Sequence, residues 1–280
     1  MVIRSGIFES SNGKNKIHYT IWKNCNLVYD ENNYNCKGGD KNIRGIIHIF
    51  HGMTEYIRRY DDFAEYFTKL GYIVCGIDLL GHGESSDKNL INVDNYNNWI
   101  DDEEELRSIV VSRFNVDKNN YIMLGFSLGS FILRAYQLKY PNKSNNLIYI
   151  GTGCPKSSEL KFAKFIMNLI PNKSKKSNLV YKMSFDSYNS KLKNKNEKTE
   201  KAAWLIKNEN IRKNYLTDCK ITSNMSANFF IQFINCMLYV DKFEDKNLKF
   251  NGNILFLSGS EDPVSNIENN GLNKVIYNYS

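Results

Sequence analysis

The sequence predicts an α/β fold: a mostly parallel sheet flanked by helices on both faces and interrupted by a helical cap. Three observations carry this. Short apolar runs such as Arg44–Phe50 (RGIIHIF) and Tyr121–Phe126 (YIMLGF) alternate with longer stretches of helical periodicity. The alternation stops near Thr152 and resumes at Asn253–Ser258 (NILFLS). Between one strand pattern and the helix after it lies Gly125-Phe126-Ser127-Leu128-Gly129, a G-x-S-x-G placed where a strand turns sharply into a helix.

Taken in order, Lys16–Trp22 alternates as a half-exposed edge strand does, and the polar stretch Asn24–Asn42 reads as a long hairpin loop. Arg44–Phe50 is a buried-type strand. Arg59–Leu70 places Phe63, Tyr66, Phe67 and Leu70 on one helical face and stops at Gly71. Tyr72–Asp78 is a strand, Asp94–Phe114 a long helix, Tyr121–Phe126 a strand, Leu128–Tyr140 a helix and Leu147–Ile150 a strand. The interrupting block offers Leu160–Ile170, Ala202–Tyr215 and Asn228–Val240 as helices, and Gly271–Tyr279 reads as the helix that follows the last strand. The expected organisation is a core beginning at 1–151, a helical cap insertion at 152–247, and the rest of the core at 248–280.

Composition narrows the function. Hydrophobic residues make up 42% of the 280, enough for a buried core. The six cysteines are scattered without a C-x-x-C pair, which argues against a zinc site and a disulfide scaffold. The opening MVIRSGIFESSNGKN lacks the apolar core of a signal peptide, and no run approaches a membrane span, so a cytoplasmic location is expected. Residues 152–250 hold 19 Lys and Arg against 9 Asp and Glu, a net +10, leaving −3 elsewhere of the chain's +7. No nucleic-acid recognition motif accompanies that charge, so nucleic acid is not expected as a partner. Weak contact of the basic cap with an anionic membrane surface is the more plausible reading.

Four motifs carry chemistry. In the G-x-S-x-G, glycines two residues either side of Ser127 relieve crowding in a strained turn that lifts the hydroxyl above the sheet. His51-Gly52-Met53-Thr54-Glu55 follows a strand, and its Met53 amide, with that of Leu128, suits an oxyanion hole. His51, beside that loop, is expected to organise it rather than to act as a base. Gly76 through Ser85 (GIDLLGHGES) makes a tight turn in which Asp78 and His82 serve loop architecture. Ser258-Gly259-Ser260-Glu261-Asp262-Pro263-Val264 places Asp262 just past a late strand, where the acid of a Ser…Asp…His order belongs.

In this order the motifs resemble the α/β-hydrolase superfamily, specifically its monoacylglycerol lipase/lysophospholipase and serine aminopeptidase-like branch. His51 through Glu55 is similar to that branch's H-G-x-x-E, Gly76 through Ser85 to its G-x-D-x-x-G-H-G-x-S, and Gly259 with Asp262-Pro263-Val264 to its acid turn. Trp204 through Glu209, with Tyr215 and Cys219, is similar to a segment of such caps. The resemblance implies an α/β-hydrolase fold and hydrolysis of carboxylic esters of lipid-like or small alcohols, with no cofactor or metal. Ser127 would be nucleophile and Asp262 acid, with His51, Glu55, Asp78 and His82 organising loops.

One departure matters. The family places a catalytic histidine one helix and one strand beyond the acid turn, whereas the four histidines here are His18, His48, His51 and His82, all before Ser127. The expectation is a C-terminally truncated chain, lacking the terminal strand and helix, whose edge at Asn253–Ser258 is left open to association. Two alternatives therefore stand beside the esterase reading: a non-catalytic lipid- or small-molecule-binding homologue, and an inactive fragment.

Overall fold

The computed structural model describes residues 1–24, 43–86, 90–183, 187–190, 192, 201–247, 250–265 and 271–279, with backbone only at 187 and 245–247. The expected loop after Asn24, together with Cys25, Cys36 and most of the Lys191–Lys201 stretch, lies outside these residues.

Seven strands form one sheet in the order β1-β2-β4-β3-β5-β6-β7. They are β1 (Val2–Glu9), β2 (Lys16–Lys23), β3 (Gly45–Phe50), β4 (Tyr72–Ile77), β5 (Tyr121–Phe126), β6 (Asn146–Ile150) and β7 (Asn253–Leu257). β1 pairs antiparallel with β2, and β2 antiparallel with β4; from β4 through β7 every pairing is parallel. Parallel strands need crossovers that cover both faces, which is why β3 is buried at all six positions and reads as an unbroken apolar run.

The pleat then sorts side chains by period two. Ile46 and Phe50 of β3 join the larger core, which includes residues of α2 (Asn97–Phe114) and α3 (Leu128–Lys139); Ile47 and Ile49 join a smaller one with Ala64 of α1 (Asp61–Lys69). His48, on the same face as Ile46 and Phe50, is the one polar side chain among them. Its Nε2 lies 2.7 Å from Glu103 Oε2 of α2, and its Nδ1 lies 2.9 Å from the Tyr121 hydroxyl. Burial drives the His48 pKa down to about 3 and the Glu103 carboxyl well above its usual range, so the pair is neutral and ties α2 to β3 and β5.

The parallel neighbours β6 and β7 are separated in sequence by the helices α4 (Ser157–Asn168), α5 (Asn178–Tyr181), α6 (Ser187–Asn189), α7 (Glu209–Thr217) and α8 (Ala227–Asn247). The chain closes on α9 (Gly271–Tyr279). Several sequence expectations need correction. Lys16–Trp22 is not an edge strand: it lies in β2, paired with β1 on one side and β4 on the other, and because β4 lies between β2 and β3 those two strands do not form a hairpin. The opening segment, read only for its lack of a signal peptide, is strand β1. Ala202–Tyr215 is not one helix: Ala202 takes φ 58°, a turn follows, and α7 starts only at Glu209, where the Asn208 side chain caps the Ile211 amide at 3.1 Å. The helix expected over Asn228–Val240 extends to Asn247.

That longer α8 reaches a buried ion pair. Arg134 of α3 and Glu244 of α8 are 2% and 1% exposed. The guanidinium Nε donates to Glu244 Oε1 at 2.8 Å, Nη2 donates to Oε2, and Nη1 donates to the Gly153 carbonyl at 2.7 Å. The Tyr279 hydroxyl of α9 donates to Glu244 Oε1 at 2.8 Å. One pair thus ties the helix after Ser127, the exit of β6, the long helix α8 and the last helix. A buried pair is weak in net stabilisation, but a broken one leaves an uncompensated charge. Arg134→Ala is expected to lower the urea-unfolding free energy by about 3–5 kcal/mol, while the double replacement of Arg134 and Glu244 by Met recovers most of the loss. A single-variant cost under about 1 kcal/mol would show that water reaches Glu244.

Candidate active site

Ser127 is the residue between β5 and α3, with φ 50° and ψ −115°. A non-glycine residue there stores about 1–3 kcal/mol of strain and persists only where its surroundings hold it. They do so here: the Ser127 amide donates to the Ile150 carbonyl at 2.9 Å, and the Ser130 amide and hydroxyl donate to the Ser127 carbonyl at 2.9 and 2.6 Å. The flanking glycines are needed for space. A Cβ on Gly125 would sit 2.7 Å from the Gly129 carbonyl oxygen, and one on Gly129 only 1.9 Å from the Phe50 carbonyl oxygen. The elbow is therefore pressed backbone to backbone against the end of β3.

The loop that leaves β3 is held from both sides. Glu55 Oε1 accepts from the Gly52 amide at 2.6 Å and from the Tyr60 hydroxyl at 3.0 Å, with Arg59 3.5 Å from the other oxygen. Burial raises the Glu55 pKa, an effect those partners oppose. Thr54, at φ 65°, shares a 2.7 Å hydrogen bond with the Tyr215 hydroxyl of α7. His51 Nε2 accepts from the Leu79 amide at 2.9 Å, which fixes the proton on Nδ1, where it is donated to the Gly52 carbonyl at 2.8 Å. Both nitrogens are spent, and burial lowers the His51 pKa to about 4. Asp78 accepts from the Ile57 amide at 2.7 Å and the Glu84 amide at 2.8 Å. The turn closes so tightly that a Cβ on Gly83 would lie 2.3 Å from Asp78 Oδ2. His82 is fully buried, its ring against His51 and against Phe229 of α8, with burial taking its pKa to about 3.

Asp262 follows β7. Its Oδ1 accepts from the Val264 amide at 2.8 Å, and the Ser265 hydroxyl donates to its carbonyl at 3.0 Å. Burial raises the carboxyl pKa, and Oδ2 comes within 3.5 Å of the space a Cβ on Gly151 would take. Gly151, at φ 62°, marks the exit of β6.

Ser127, Met53, Glu55 and Asp262 line one cavity of about 650 Å³. Three helices supply much of its apolar lining: Phe131 of α3, Leu160 and Ala163 of α4, and Phe233, Ile234 and Met237 of α8. Phe230, Phe233 and Met237, all within the helix expected over Asn228–Val240, line this space. Met167 and Phe229 are instead fully buried core, and Leu169 faces outward. Phe131, Leu160 and Ala163 were not singled out, although Phe131 lies one helical turn beyond Ser127 on a helix already recognised. All four histidines are among the described residues, and none lines the cavity. No cluster of three or more His, Cys, Asp or Glu suited to a metal occurs among the described residues, and no described helix is long and apolar enough to cross a membrane.

The buried neutral His51 has a sign that can be worked out. Its folded pKa of about 4 lies below the unfolded value near 6.5, so the unfolded chain binds the extra proton first. Its contribution is complete above pH 6.5 and is lost as pH falls toward 4, to the extent of about 3 kcal/mol. The difference in unfolding free energy between the native chain and His51→Gln is expected to shrink by that order across this window. A difference independent of pH would mean that His51 has the same pKa folded and unfolded.

Residues 41–276 match the family described as Serine aminopeptidase, S33 (Hydrolase_4). A monoacylglycerol lipase of Mycolicibacterium smegmatis is 29% identical over 112 residues, 40% of this chain and 39% of that protein. A monoglyceride lipase homolog of monkeypox virus is 25% identical over 135 residues, 47% of this chain and 48% of that one. The match thus spans less than half the length of either curated relative. Among solved structures, a thermostable carboxyl esterase of Bacillus coagulans is 18% identical with a TM-score of 0.72, covering 98% of this chain and 96% of its own, a likeness of fold. With its strand order, its elbow and a family match across most of its length, this chain belongs to the serine aminopeptidase S33 (Hydrolase_4) family and has the α/β-hydrolase fold.

Proposed function

We propose that the chain is a serine hydrolase of carboxylic esters with a lipid-like acyl group, acting through Ser127. The observation that carries this reading is the strained Ser127 turn opening on a cavity lined in large part by apolar side chains of α3, α4 and α8. In the proposed reaction the Ser127 hydroxyl attacks the ester carbonyl carbon and the alcohol leaves with a proton. Water then cleaves the acyl-serine and releases the acid. Charge developing on the carbonyl oxygen would be met by the amides of Met53 and Leu128. Neither amide donates a hydrogen bond among the described residues, and Leu128 opens a helix, whose first amides have no partner within it. Asp262 is the acid of this arrangement. The names of the curated relatives point to monoacylglycerol as the substrate class, and the three-helix wall offers apolar side chains for its chain.

A second reading has its own observation. Because none of the four histidines lines the cavity, the chain would also serve as a binding protein that holds a lipid-like molecule without cleaving it.

Hydrolysis of a short-chain chromogenic ester, with Ser127→Ala alongside, separates the two. An oxyanion hole and binding alone supply about 10³–10⁴ over water, so a Ser127 that acts as nucleophile is expected to exceed that floor and Ser127→Ala to fall back to it. Asp262→Asn is expected to lower turnover with little change in the unfolding midpoint. Equal rates for the native chain and Ser127→Ala, both folded, would reject the enzyme reading and leave the binding one.

A further inference from the structure

The cap helix α7 rests on the core through polar contacts, and most of them gather on one loop. Its buried residues are Arg212 and Tyr215, while its apolar Ile211 and Leu216 are 55% and 49% exposed. Burial of an apolar face therefore does not seat this helix. The contacts that do seat it come from its C-terminal end and the turn that follows. The Tyr215 hydroxyl shares its 2.7 Å hydrogen bond with Thr54, and the Arg59 guanidinium lies over the Tyr215 ring at 5.0 Å. Asp218 accepts from the Tyr56 hydroxyl at 2.9 Å and stands 3.5 Å from Arg59 Nη1. Lys220 donates to Glu84 at 3.1 Å. Thr54, Tyr56 and Arg59 all belong to the six residues that follow Met53.

Thr54 is the demanding one of the three. It is 1% exposed and takes φ 65°, in the left-handed region that a β-branched residue rarely adopts. Such a conformation persists only where its surroundings hold it, and the hydroxyl of Thr54 is held by a cap residue 161 positions away. We propose that Tyr215 is a positioning residue: by holding Thr54 in its left-handed turn it fixes the adjacent Met53 amide where a developing oxyanion would be met. The oxyanion site is then complete only while α7 is seated. This inference rests on the reading of Met53 as an oxyanion donor. Tyr215 also lines the cavity, so direct contact with a bound molecule is the competing role. The two roles differ in what they move. A contact made equally in the ground and transition states changes KM, whereas a misplaced oxyanion donor changes kcat. Glycine supplies the internal control, because it takes positive φ without steric cost and so keeps the turn without help from Tyr215.

Steady-state hydrolysis of a short-chain chromogenic ester is compared in the native chain, Tyr215→Phe, Thr54→Gly and the double variant, with Ser127→Ala as the blank. Tyr215→Phe is expected to lower kcat about tenfold or more and to leave KM within about twofold. In the Thr54→Gly background the same replacement is expected to change kcat by less than about twofold, a coupling that the double-mutant cycle reads directly. The proposal is overturned if Tyr215→Phe leaves kcat unchanged, acts on KM alone, or has the same effect in both backgrounds. Amide hydrogen exchange over residues 51–56 tests the hold without turnover. Tyr215→Phe is expected to speed that exchange about tenfold with Thr54 present and to add little to Thr54→Gly. Equal hydrolysis by the native chain and Ser127→Ala rejects the enzyme reading and leaves the exchange to decide the hold. Equal exchange in the native chain and Tyr215→Phe overturns the hold itself.

Discussion

The site depends on one close approach: the first turn of α3 pressed against the last residues of β3. At Gly129 the fit admits no side chain, with the Phe50 carbonyl oxygen 1.9 Å and the His51 carbonyl oxygen 2.6 Å from where a Cβ would be. That contact sets the distance between two loops that reach the site from different strands, one carrying Ser127 and the other Met53. It also explains how the strain at Ser127 is tolerated, because the turn is clamped by hydrogen bonds to β6 and within α3. The loop after β3 is then held by local bonds that use up its polar groups: Glu55 on the Gly52 amide, and His51 between Gly52 and Leu79. A group so fully engaged is architecture, whatever its chemical type.

The cap is joined to the core by the same logic of buried polar groups. α8 is about 31 Å long at the usual rise per residue, and different turns of it face different parts of the molecule. Phe229 packs on His82 and Trp99, Phe233 through Met237 wall the cavity, and Glu244 meets Arg134. A helix committed at both ends does not swing as a separate lid. The cavity is a gap left between α3, α4 and α8, and the third apolar cluster, built on Phe131, Leu160, Ile234 and Met237, is its lining.

How much of this was legible in the sequence follows from where the information resides. The parallel strands were readable because both their faces are buried, leaving apolar runs such as GIIHIF. The elbow was readable because its glycines are forced by backbone contact, so residue type and geometry coincide. β1 escaped notice because its burial pattern, mostly exposed, leaves no apolar face to read. Ala202–Tyr215 looked helical because its composition favours a helix; the turn at Ala202 is a tertiary choice that propensity does not encode. The partnership of Arg134 with Glu244 spans 110 residues and has no local signal. The two-sidedness of α4 was hidden for a related reason. Phe162 and Leu160 are equally apolar as letters, and only packing tells which faces the cavity and which faces water.

The same packing governs the proton inventory around Ser127. A serine hydroxyl attacks an ester only if something receives its proton. The groups that line the cavity beside it include two carboxyls, Glu55 and Asp262, whose pKa values burial has raised. Glu55 Oε1 accepts from the Gly52 amide and the Tyr60 hydroxyl, and Arg59 stands 3.5 Å from Oε2. The Asp262 carboxyl accepts from the Val264 amide at Oδ1, and the Ser265 backbone also favours its charged form. A carboxylate made more basic by burial is the counterpart that an imidazole proton would need. The chemistry proposed at Ser127 draws on Asp262 as its acid. In that proposal the acid turn after β7 belongs to the site as much as the elbow does, although the helices α4 to α8 lie between them in sequence.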